Sequence, residues 1–554
     1  DISQHSISEL LPALKREYEK ARDIKDKENL LAIIGNPPYF GGKSQAKTDV
    51  IDGELKKYKK GLNEKNIQPL NDLYIKFIRF AEWKIERCGY GVIGIITNNS
   101  FLDGITHRKM REHLYNTFDE IYIVNLHGNM RKGKGDKNIF DIKLGVSITF
   151  LVKRQNITTK PLKNSKNRLG LPKTVKYFSI LNNNLISRAE KLSFLEDADF
   201  SKIQWKELHP AETPYFWFTD KDLSLEDAYK KFWKITDIFE NYESGITTGR
   251  DNEVVNYKYF NSKNNQPITY RTFDERFIDY NLKNIDRHRI KIMKHFLIKN
   301  EENRGLCFMR GINNGINFGH IFIVNKMMDT NLCGARLYVA PLYFYNGHKE
   351  NGIYEIEFDD NSVKTDNFTQ KFIQNYLQKL SFKPAPEEIL AYIYAVLHSP
   401  VYRTKYIEFL KTDFPAVPMT KNADIFKQYA KLGQKLINLH LLKNLPDDAK
   451  IRFSLAGIEN NFTIEKIGQS GEKLFLNVVE DKTITITISG VTEKIYNFEI
   501  GSYRPIDKWL KYRIKDHVSL DVSDLNHLKN MIVAIKGTIA TMQKIENLEE
   551  TYLQ

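Results

Sequence analysis

Residues 31–39 read LAIIGNPPY, an apolar run that ends at Gly35 and leads into a tandem proline and a tyrosine. The apolar residues do not alternate with polar ones, which is typical of a strand that is buried on both faces. Because proline cannot donate to a strand ladder, the strand ends where the prolines begin. The segment therefore predicts a strand of an α/β sheet with Asn36-Pro37-Pro38-Tyr39 at its carboxyl end. An ordinary Pro-Pro turn is the plain structural alternative.

The sequence around this segment alternates between helix-like and strand-like patterns. Apolar residues recur with a helical period from Asn71 to Arg87, and a second helix is predicted at about residues 107–115. Short apolar runs predict further buried strands at Val92–Ile96, Ile121–Leu126 and Leu144–Val152. Four strands and two helices in the first 150 residues predict a sheet with helices on both faces.

The rest of the chain has a mixed pattern, which predicts an α+β architecture. Residues 153–173 contain seven basic and no acidic residues, and they predict a loop that either crosses DNA or is simply solvated. Residues 386–409 are apolar all round, as in a buried helix. Residues 473–499 alternate like a β-meander, and helices are predicted at 506–515 and 522–548.

Composition and charge narrow the class of protein. The chain has 554 residues, and 83 Lys and Arg against 69 Asp and Glu give a net charge of +14, which favours an anionic partner such as nucleic acid. An apolar fraction of 41% is enough to fill cores, so a disordered or collagen-like chain is excluded. No apolar run is long enough for a membrane span, so no membrane partner is expected. Three isolated cysteines predict reduced thiols of an intracellular protein, and the lack of His or Cys clusters predicts no metal site.

The Asn-Pro-Pro-Tyr segment has a chemical interpretation. The exocyclic amino group of adenine is a poor nucleophile because its lone pair is delocalised into the ring. Two acceptors aimed at its N–H bonds, the Asn36 side-chain oxygen and the Pro37 carbonyl, would turn the nitrogen towards tetrahedral geometry and free the lone pair for a methyl donor. The tandem proline, completed by Pro38, fixes the backbone, so this carbonyl is preorganised. Tyr39 offers a flat face on which a base turned out of the duplex can stack.

With these residues the sequence resembles the amino-type DNA adenine-N6 methyltransferases, whose fourth motif is Asn-Pro-Pro-Tyr after a strand. The resemblance continues through GYGVIGIITNNSFL (89–102), IYIVNLHGNMRKGKGDKNIFDIKLGVSITFLV (121–152), SGITTGRD (244–251), YRTFDERF (270–277) and FEIGSYRPIDKWLKYR (498–513). Together these segments resemble the methyltransferase and target-recognition parts of single-chain restriction–modification enzymes of type ISP and type IIG.

The resemblance implies an α/β partial Rossmann-like methyltransferase domain followed by a large α+β target-recognition domain. The first is expected at residues 1–175 and contains the base-binding part. The second is expected at residues 176–554, with a C-terminal β-meander and helices from about residue 450. The implied function is sequence-specific adenine-N6 methylation of double-stranded DNA in the cytoplasm of a bacterium or archaeon.

The resemblance also assigns residues to roles. Asn36, Pro37, Pro38 and Tyr39 form the catalytic motif, and Phe140 is expected to pack on the opposite face of the flipped base from Tyr39. Plain core packing is the alternative for Phe140. The candidate DNA-binding residues are Arg131, Lys132, Lys134, Lys137, Arg250, Arg271 and Arg276. Three more arginines of the second half are candidate DNA contacts, namely Arg287, Arg289 and Arg310. For each arginine the alternatives are a phosphate contact, a structural ion pair and a solvated side chain.

The cofactor implied by the resemblance is S-adenosylmethionine. Such enzymes bind it with a Gly-rich F-x-G-x-G motif before Asn-Pro-Pro-Tyr, and this chain contains no such motif. No cofactor-binding residue is therefore predicted here. We expect the cofactor half, and possibly a nuclease or helicase, in an upstream part of the same polypeptide, and methylation as an activity of that longer polypeptide.

Two other patterns are better explained by structure than by chemistry. Gly89-Tyr90-Gly91-Val92-Ile93-Gly94 fits a dinucleotide-binding pattern, but its glycines precede a strand, so a helix-to-strand turn is predicted. Asp72, Glu82 and Lys84 mimic a nuclease pattern but fall on a predicted helix.

Two other functions remain open from the sequence. The chain could be a DNA-binding specificity module without catalysis of its own, which the missing Gly-rich motif favours. It could also be an RNA or protein-glutamine N-methyltransferase, since both classes use the same tetrapeptide.

Overall fold

The computed structural model describes residues 12–26, 30–38, 49–64, 67–129, 136–142, 144–155, 173–212, 215–259, 261–298, 302–312, 318–346, 349–350, 356–357, 363–454, 461–479 and 485–552. The chain divides into two compact units, Asp1–Asp222 and Leu223–Gln554.

The first unit consists of one sheet and the helices around it. Its elements in chain order are α1 (Pro12–Asp26), β1 (Ala32–Gly35), α2 (Asp49–Glu54), α3 (Lys56–Lys59), α4 (Leu73–Cys88), β2 (Gly91–Asn98), α5 (Arg108–Thr117), β3 (Glu120–His127), β4 (Val146–Lys153), β5 (Thr174–Ser179), α6 (Arg188–Asp197) and β6 (Lys206–Leu208). The strand order is β1-β2-β4-β3-β5-β6. Strands β1, β2, β3 and β5 run parallel to one another, while β4 and β6 are antiparallel to their neighbours. The predicted strands and helices are thus confirmed, with ends shifted by a few residues.

Strand β1 differs from its prediction as a strand buried on both faces. Ile34 is 89% exposed and Leu31, just before the strand, is 53% exposed. The reason is position, because β1 lies at the edge of the sheet and pairs only with β2 among the described strands. In the described sheet, this apolar run without alternation therefore forms an edge strand with exposed side chains, rather than a central strand buried on both faces.

Helix α4 accounts for both misleading patterns. The Asp72 side chain accepts a hydrogen bond from the Tyr74 amide and caps the helix start, and Gly89, in the left-handed conformation, ends the helix. The glycines therefore form a helix-to-strand turn, as predicted. Glu82 lies on the buried face of α4, where it accepts hydrogen bonds from the Arg79 guanidinium, the Tyr58 hydroxyl (2.6 Å) and His113 Nδ1 (2.7 Å). Burial alone would raise the pKa of Glu82, but these donors outweigh it and lower the pKa.

The first unit extends to Asp222, beyond the boundary at residue 175 predicted from sequence. Strand β5 pairs with β3, and β6 pairs with β5, so the sheet continues past that boundary. The fully buried Arg111 of α5 also donates hydrogen bonds to the carbonyl oxygens of Tyr215 (2.7 Å) and Phe216 (2.7 Å). A buried guanidinium needs such partners, so it fixes the segment after β6 to this unit.

The second unit contains several small sheets and a group of buried helices. Its elements in chain order are α7 (Glu226–Tyr229), β7 (Trp233–Lys234), α8 (Ile235–Ile238), β8 (Glu243–Ser244), α9 (Asp251–Val254), β9 (Val255–Asn256), β10 (Asn265–Arg271), β11 (Asp274–Asp279), α10 (Ile290–Met293), β12 (Gly305–Phe308), β13 (Phe322–Val324), β14 (Met327–Met328), β15 (Tyr338–Pro341), β16 (Tyr343–Asn346), β17 (Lys349–Glu350), β18 (Ile356–Glu357), β19 (Val363–Asp366), α11 (Gln370–Asn375), α12 (Pro386–His398), α13 (Pro400–Lys405), α14 (Ile407–Leu410), β20 (Ala416–Val417), α15 (Ala423–His440), β21 (Arg452–Ser454), β22 (Ile464–Ser470), β23 (Lys473–Val478), β24 (Thr485–Ser489), α16 (Glu493–Tyr496), α17 (Pro505–Lys515) and α18 (Val522–Tyr552).

The sheets and helices of this unit share two apolar cores. Four-stranded sheets have the orders β14-β10-β11-β9, β13-β12-β15-β8 and β21-β24-β23-β22. The last contains β23 and β24 of the meander predicted at 473–499, whereas the end of that segment forms α16. The buried helix predicted at 386–409 ends at His398, because Ser399 caps a new helix that begins with Pro400. None of the helices in the described part of the chain is long and apolar enough to span a membrane.

Candidate functional site

The Asn-Pro-Pro segment directly follows β1 at the carboxyl end of the parallel strands. Gly35 pairs with Ile95 of β2, so the next residue, Asn36, lies at the sheet edge where these strands end. Asn36 and Pro38 are exposed, whereas Pro37 is buried. Tyr39 lies outside the described residues. In open α/β sheets this carboxyl edge is where ligands bind, so the segment occupies a suitable position for recognition.

Polar side chains follow the same edge of the sheet. Asn99, just after β2, donates from Nδ2 to Asn125 Oδ1 of β3 at 2.9 Å, and Asn125 donates from its own Nδ2 to the Tyr177 hydroxyl of β5 at 2.9 Å. His127 Nε2 and Ser179 Oγ, at the ends of β3 and β5, are 2.9 Å apart. The strand ends next to the Asn-Pro-Pro segment are therefore held together by side-chain hydrogen bonds.

Phe140 lies in the connection between β3 and β4 and is partly buried. It packs against a small apolar cluster that includes Leu126, Val146 and Phe178. Its backbone amide donates to Asn138 Oδ1 at 2.9 Å, while Asn138 Nδ2 donates to the carbonyl oxygens of Gly128 (3.0 Å) and Leu144 (2.5 Å). Asn138 therefore joins both ends of this connection and sets the position of Phe140.

A buried lysine holds the same connection from the side of α6. The Lys191 side chain has no exposed surface, and its Nζ donates to the carbonyl oxygens of Leu126 and Lys137, both at 2.8 Å, and to Asp136 Oδ1. The other oxygen of Asp136 accepts from the Gly128 amide at 2.5 Å. All three Nζ protons thus have acceptors, which is the usual requirement for a buried ammonium group.

The basic residues predicted in this connection are only partly described. Lys137 is exposed, and its backbone amide donates to the Ile186 carbonyl at 3.0 Å. Arg131, Lys132 and Lys134 lie outside the described residues. Lys137 can therefore meet a phosphate, whereas the structure gives no geometry for the other three.

Two arginines predicted to bind DNA are engaged inside the second unit instead. Arg276 is 7% exposed, donates from Nε to Asp274 Oδ2 at 3.0 Å, and lies 4.0 Å from the Tyr257 ring centroid. Arg271 forms an ion pair with the buried Asp329 at 2.7 Å. These geometries correspond to the structural ion pair that was one alternative for each residue. The guanidinium groups would have to leave buried carboxylates to reach DNA, which is costly.

Other arginines of the second unit remain accessible. Arg250 is 46% exposed, and its contact with Glu253 is long, at 3.8 Å. Arg287 is exposed, and its backbone pairs with that of Thr247, three residues before Arg250. Arg289 and Arg310 form ion pairs with Glu243 (2.6 Å) and Asp413 (2.9 Å). Arg250 and Arg287 are therefore the better candidates for an external partner.

One cluster in the first unit has the composition of a metal site. Glu82, Glu86 and His113 place ligand atoms within 4.8 Å of one another. However, the Arg79 guanidinium donates to the carboxylates of both Glu82 and Glu86, the latter at 2.6 Å. The arginine already supplies the positive charge, and a divalent ion beside it would be repelled.

Sequence reasoning missed the residues that hold the β3–β4 connection. No sequence pattern predicts a structural role for Asp136 or Asn138. For Lys191, Ser187 and Glu190 form a capping box, which is a readable sign that a helix starts at Arg188. Nothing in the sequence shows that Lys191 points inward, because lysine is rarely buried.

Comparison with protein-family models gives two matches. Residues 255–544 match the model described as Type ISP C-terminal specificity domain, and residues 4–130 match the model described as Eco57I restriction-modification methylase. The first match covers more than half of the chain. The resemblance derived from the motifs is thereby confirmed, as is the order of a methylase-type region before a large specificity domain. The search of curated proteins found no match.

Solved structures share the fold of the chain. A nuclease-deletion mutant of the Type ISP restriction-modification enzyme LlaGI, in complex with a DNA substrate mimic, matches with a TM-score of 0.72 and 20% identity over 97% of this chain and 54% of its own. The structure of the ATP-dependent Type ISP restriction-modification enzyme LlaBIII bound to DNA matches with a TM-score of 0.74 and 21% identity, over 97% of this chain and 38% of its own. A DrdV–DNA complex matches with a TM-score of 0.71 and 17% identity, over 96% of this chain and 58% of its own. The chain thus spans between 38% and 58% of the length of these structures.

Proposed function

The chain belongs to the Type ISP C-terminal specificity domain family, and on that premise we propose that it is the methyltransferase and target-recognition region of a longer restriction–modification polypeptide. The proposed activity of that polypeptide is transfer of a methyl group from S-adenosylmethionine to the N6 amino group of adenine at a specific site in double-stranded DNA. The proposed setting is the cytoplasm of a bacterium or archaeon.

The position of Asn36 and Pro37 carries this proposal. The two residues follow a parallel strand at the carboxyl edge of the sheet, and the buried Pro37 ring restricts the backbone there. The Asn36 side-chain oxygen and the Pro37 carbonyl would accept hydrogen bonds from the two N–H bonds of the adenine amino group. This pulls the nitrogen out of conjugation and exposes its lone pair. Tyr39 and the partly buried Phe140 would pack on the two faces of the flipped base.

The described residues do not form a cradle for S-adenosylmethionine, which supplies the methyl group in this reaction. The polar side chains at the ends of β2, β3 and β5 are hydrogen-bonded to one another, and the Gly-rich motif is missing from the sequence. We propose that another part of the polypeptide binds the cofactor and completes a Rossmann-like sheet beside β1. The exposed Ile34, together with Phe77 of α4, which is 48% exposed, supports such an addition.

DNA contacts are proposed for the accessible basic residues only. These are Lys137 of the first unit and Arg250 and Arg287 of the second unit, all of which are exposed. Arg131, Lys132 and Lys134 remain proposals from the sequence. Arg271 and Arg276 are reassigned to structural ion pairs.

Substitution of Asn36 in the intact polypeptide tests the proposal. Asn36→Ala removes one of the two acceptors, and we expect a loss of methylation of roughly 100- to 1,000-fold, as for one electrostatic stabiliser of a transition state. N6-methyladenine is measured by mass spectrometry of nucleosides from digested DNA, and DNA affinity by fluorescence anisotropy. The matched control is Asn116→Ala, at an exposed position of α5. Undiminished methylation with unchanged DNA binding would contradict the proposed chemistry.

A DNA-binding specificity module without catalysis is the second candidate. The family match to the specificity domain over more than half of the chain favours it. Calorimetric titration of the chain with S-adenosylmethionine separates the two candidates, since tight binding by this chain alone would count against a purely DNA-binding role. No feature of the described residues favours an RNA or protein-glutamine substrate.

A further inference from the structure

The β3–β4 connection is held by three side chains from different parts of the first unit, Asp136, Asn138 and Lys191, which we call the loop clamp. Lys191 comes from α6, and Asp136 and Asn138 come from the connection itself. Together they hydrogen-bond the backbone at five positions, namely Leu126, Gly128, Lys137, Phe140 and Leu144.

We propose that the loop clamp is a positioning device that fixes Phe140 for the flipped base, with Lys191 as its central residue. The proposal rests on the proposed function, because only a flipped base gives the orientation of Phe140 a catalytic consequence. Lys191 is a positioning residue, since it acts through Asp136 and the backbone and touches no substrate.

The hydrogen bonds of the loop clamp connect the end of β3 with Phe140 and with Leu144, just before β4. Lys191 ties the carbonyl of Leu126, near the end of β3, to the carbonyl of Lys137, three residues after Lys134. Asn138 then ties Gly128 to Leu144 and accepts the Phe140 amide. Both strand ends and the Phe140 backbone are therefore joined through one continuous set of hydrogen bonds.

Burial makes this arrangement sensitive to a single change. Lys191 and Asn138 are both buried, so loss of one partner leaves carbonyl oxygens or a carboxylate without a donor in a poorly solvated place. Gly128 adds a steric constraint, because it has φ +78° and a Cβ there would lie 2.6 Å from Asn138 Cα. The backbone thus approaches Asn138 as closely as a glycine allows.

A structural role alone would also explain a buried lysine, so the test needs a readout specific to positioning. In the intact polypeptide, 2-aminopurine at the target adenine becomes fluorescent when the base leaves the stack. We expect Lys191→Met to abolish most of that increase and to lower kcat for adenine methylation roughly 10- to 100-fold, as a small misplacement does. The Kd for DNA should change less than about threefold, because phosphate contacts elsewhere are retained.

The matched control removes another fully buried cation from the same unit. Arg111→Met should lower thermal stability, yet below its unfolding temperature it should keep the fluorescence increase and kcat. Asn138→Asp is a second variant that keeps the size and the acceptor for the Phe140 amide but loses both donated hydrogen bonds, and it should behave like Lys191→Met. Lys191→Arg should restore part of the activity.

The possible results distinguish a failure of the clamp proposal from a failure of the proposed function. If the unsubstituted polypeptide methylates adenine while Lys191→Met and Asn138→Asp keep its kcat and fluorescence increase, the clamp proposal is wrong and the proposed function stands. If the unsubstituted polypeptide shows neither adenine methylation nor base flipping, the proposed function fails and the clamp proposal with it. Should Lys191→Met not fold, the result with Asn138→Asp decides.

Discussion

Acidification should destabilise the second unit through three buried histidines, His320, His398 and His440. Burial lowers the pKa of His320 to about 4 and that of His440 to about 3, in both cases with a smaller contribution from the charge of Arg403. Burial also lowers the pKa of His398 well below its usual range. All three histidines are therefore neutral in the folded unit and become protonated first in the unfolded chain.

The sign and size of the effect follow from these values. Because these histidines bind protons from about pH 6.5 downward in the unfolded chain but stay neutral in the folded unit, their contribution to stability falls as the pH falls from 6.5 towards 4. At pH 5 His320 and His440 each lower the free energy of unfolding by about 2 kcal/mol, and His398 changes it in the same direction. Differential scanning calorimetry of the chain between pH 7.5 and pH 5 measures this loss.

His320 offers the sharpest variant of this experiment. Both of its ring nitrogens are buried without a hydrogen-bond partner among the described residues, whereas His440 contacts the hydroxyls of Tyr394 and Thr538. His320→Leu should therefore keep stability at pH 7.5 and reduce the loss of stability between pH 7.5 and pH 5 by about 2 kcal/mol. The control, His517→Asn, changes an exposed histidine in a left-handed conformation that asparagine accepts. An unchanged pH dependence in His320→Leu, or a large loss of stability at pH 7.5, would refute the reasoning.

Two further predictions concern the second unit. Gly433→Ala should destabilise the second unit by about 2 kcal/mol or more, because a Cβ at this position would overlap the Ala391 carbonyl oxygen where α15 crosses α12. Thermal unfolding measures this loss, and an unchanged midpoint temperature would contradict the prediction. Arg250→Gln should weaken DNA binding and reduce the number of ions released on binding by about one, because Arg250 is exposed. Arg276→Gln should lower the unfolding temperature without changing the salt dependence of binding, because Arg276 is buried. Anisotropy titrations from low to high salt distinguish the two variants, and a smaller salt slope for Arg276→Gln alone would reverse the assignment.

The elements around the Asn-Pro-Pro segment could be predicted from the sequence because local patterns determine them. The capping Asp72, the terminal Gly89 and the apolar period between them mark α4 without any tertiary information. The position of Asn36 after a parallel strand follows in the same way from Gly35 and the prolines.

The features that could not be predicted depend on distant partners. An apolar strand has the same composition at a sheet edge and in a sheet centre, so the exposure of Ile34 was missed. The sequence around an arginine does not show whether its side chain binds a phosphate or a buried aspartate. The structure shows that Arg271 and Arg276 form ion pairs with buried carboxylates. The first unit extends past residue 175 because β5 and β6 join a sheet whose first strand, β1, begins 142 residues before β5 and 174 residues before β6.

The open edge of β1 has a consequence for handling the chain in isolation. Among the described strands, β1 pairs on one side only, with β2. An edge strand with exposed apolar side chains is a template for intermolecular strand pairing, and Leu31 and Ile34 supply such side chains. Preparations of these residues alone should accordingly be prone to concentration-dependent aggregation. A charged residue in place of Ile34 would act as a gatekeeper against it without disturbing any described core.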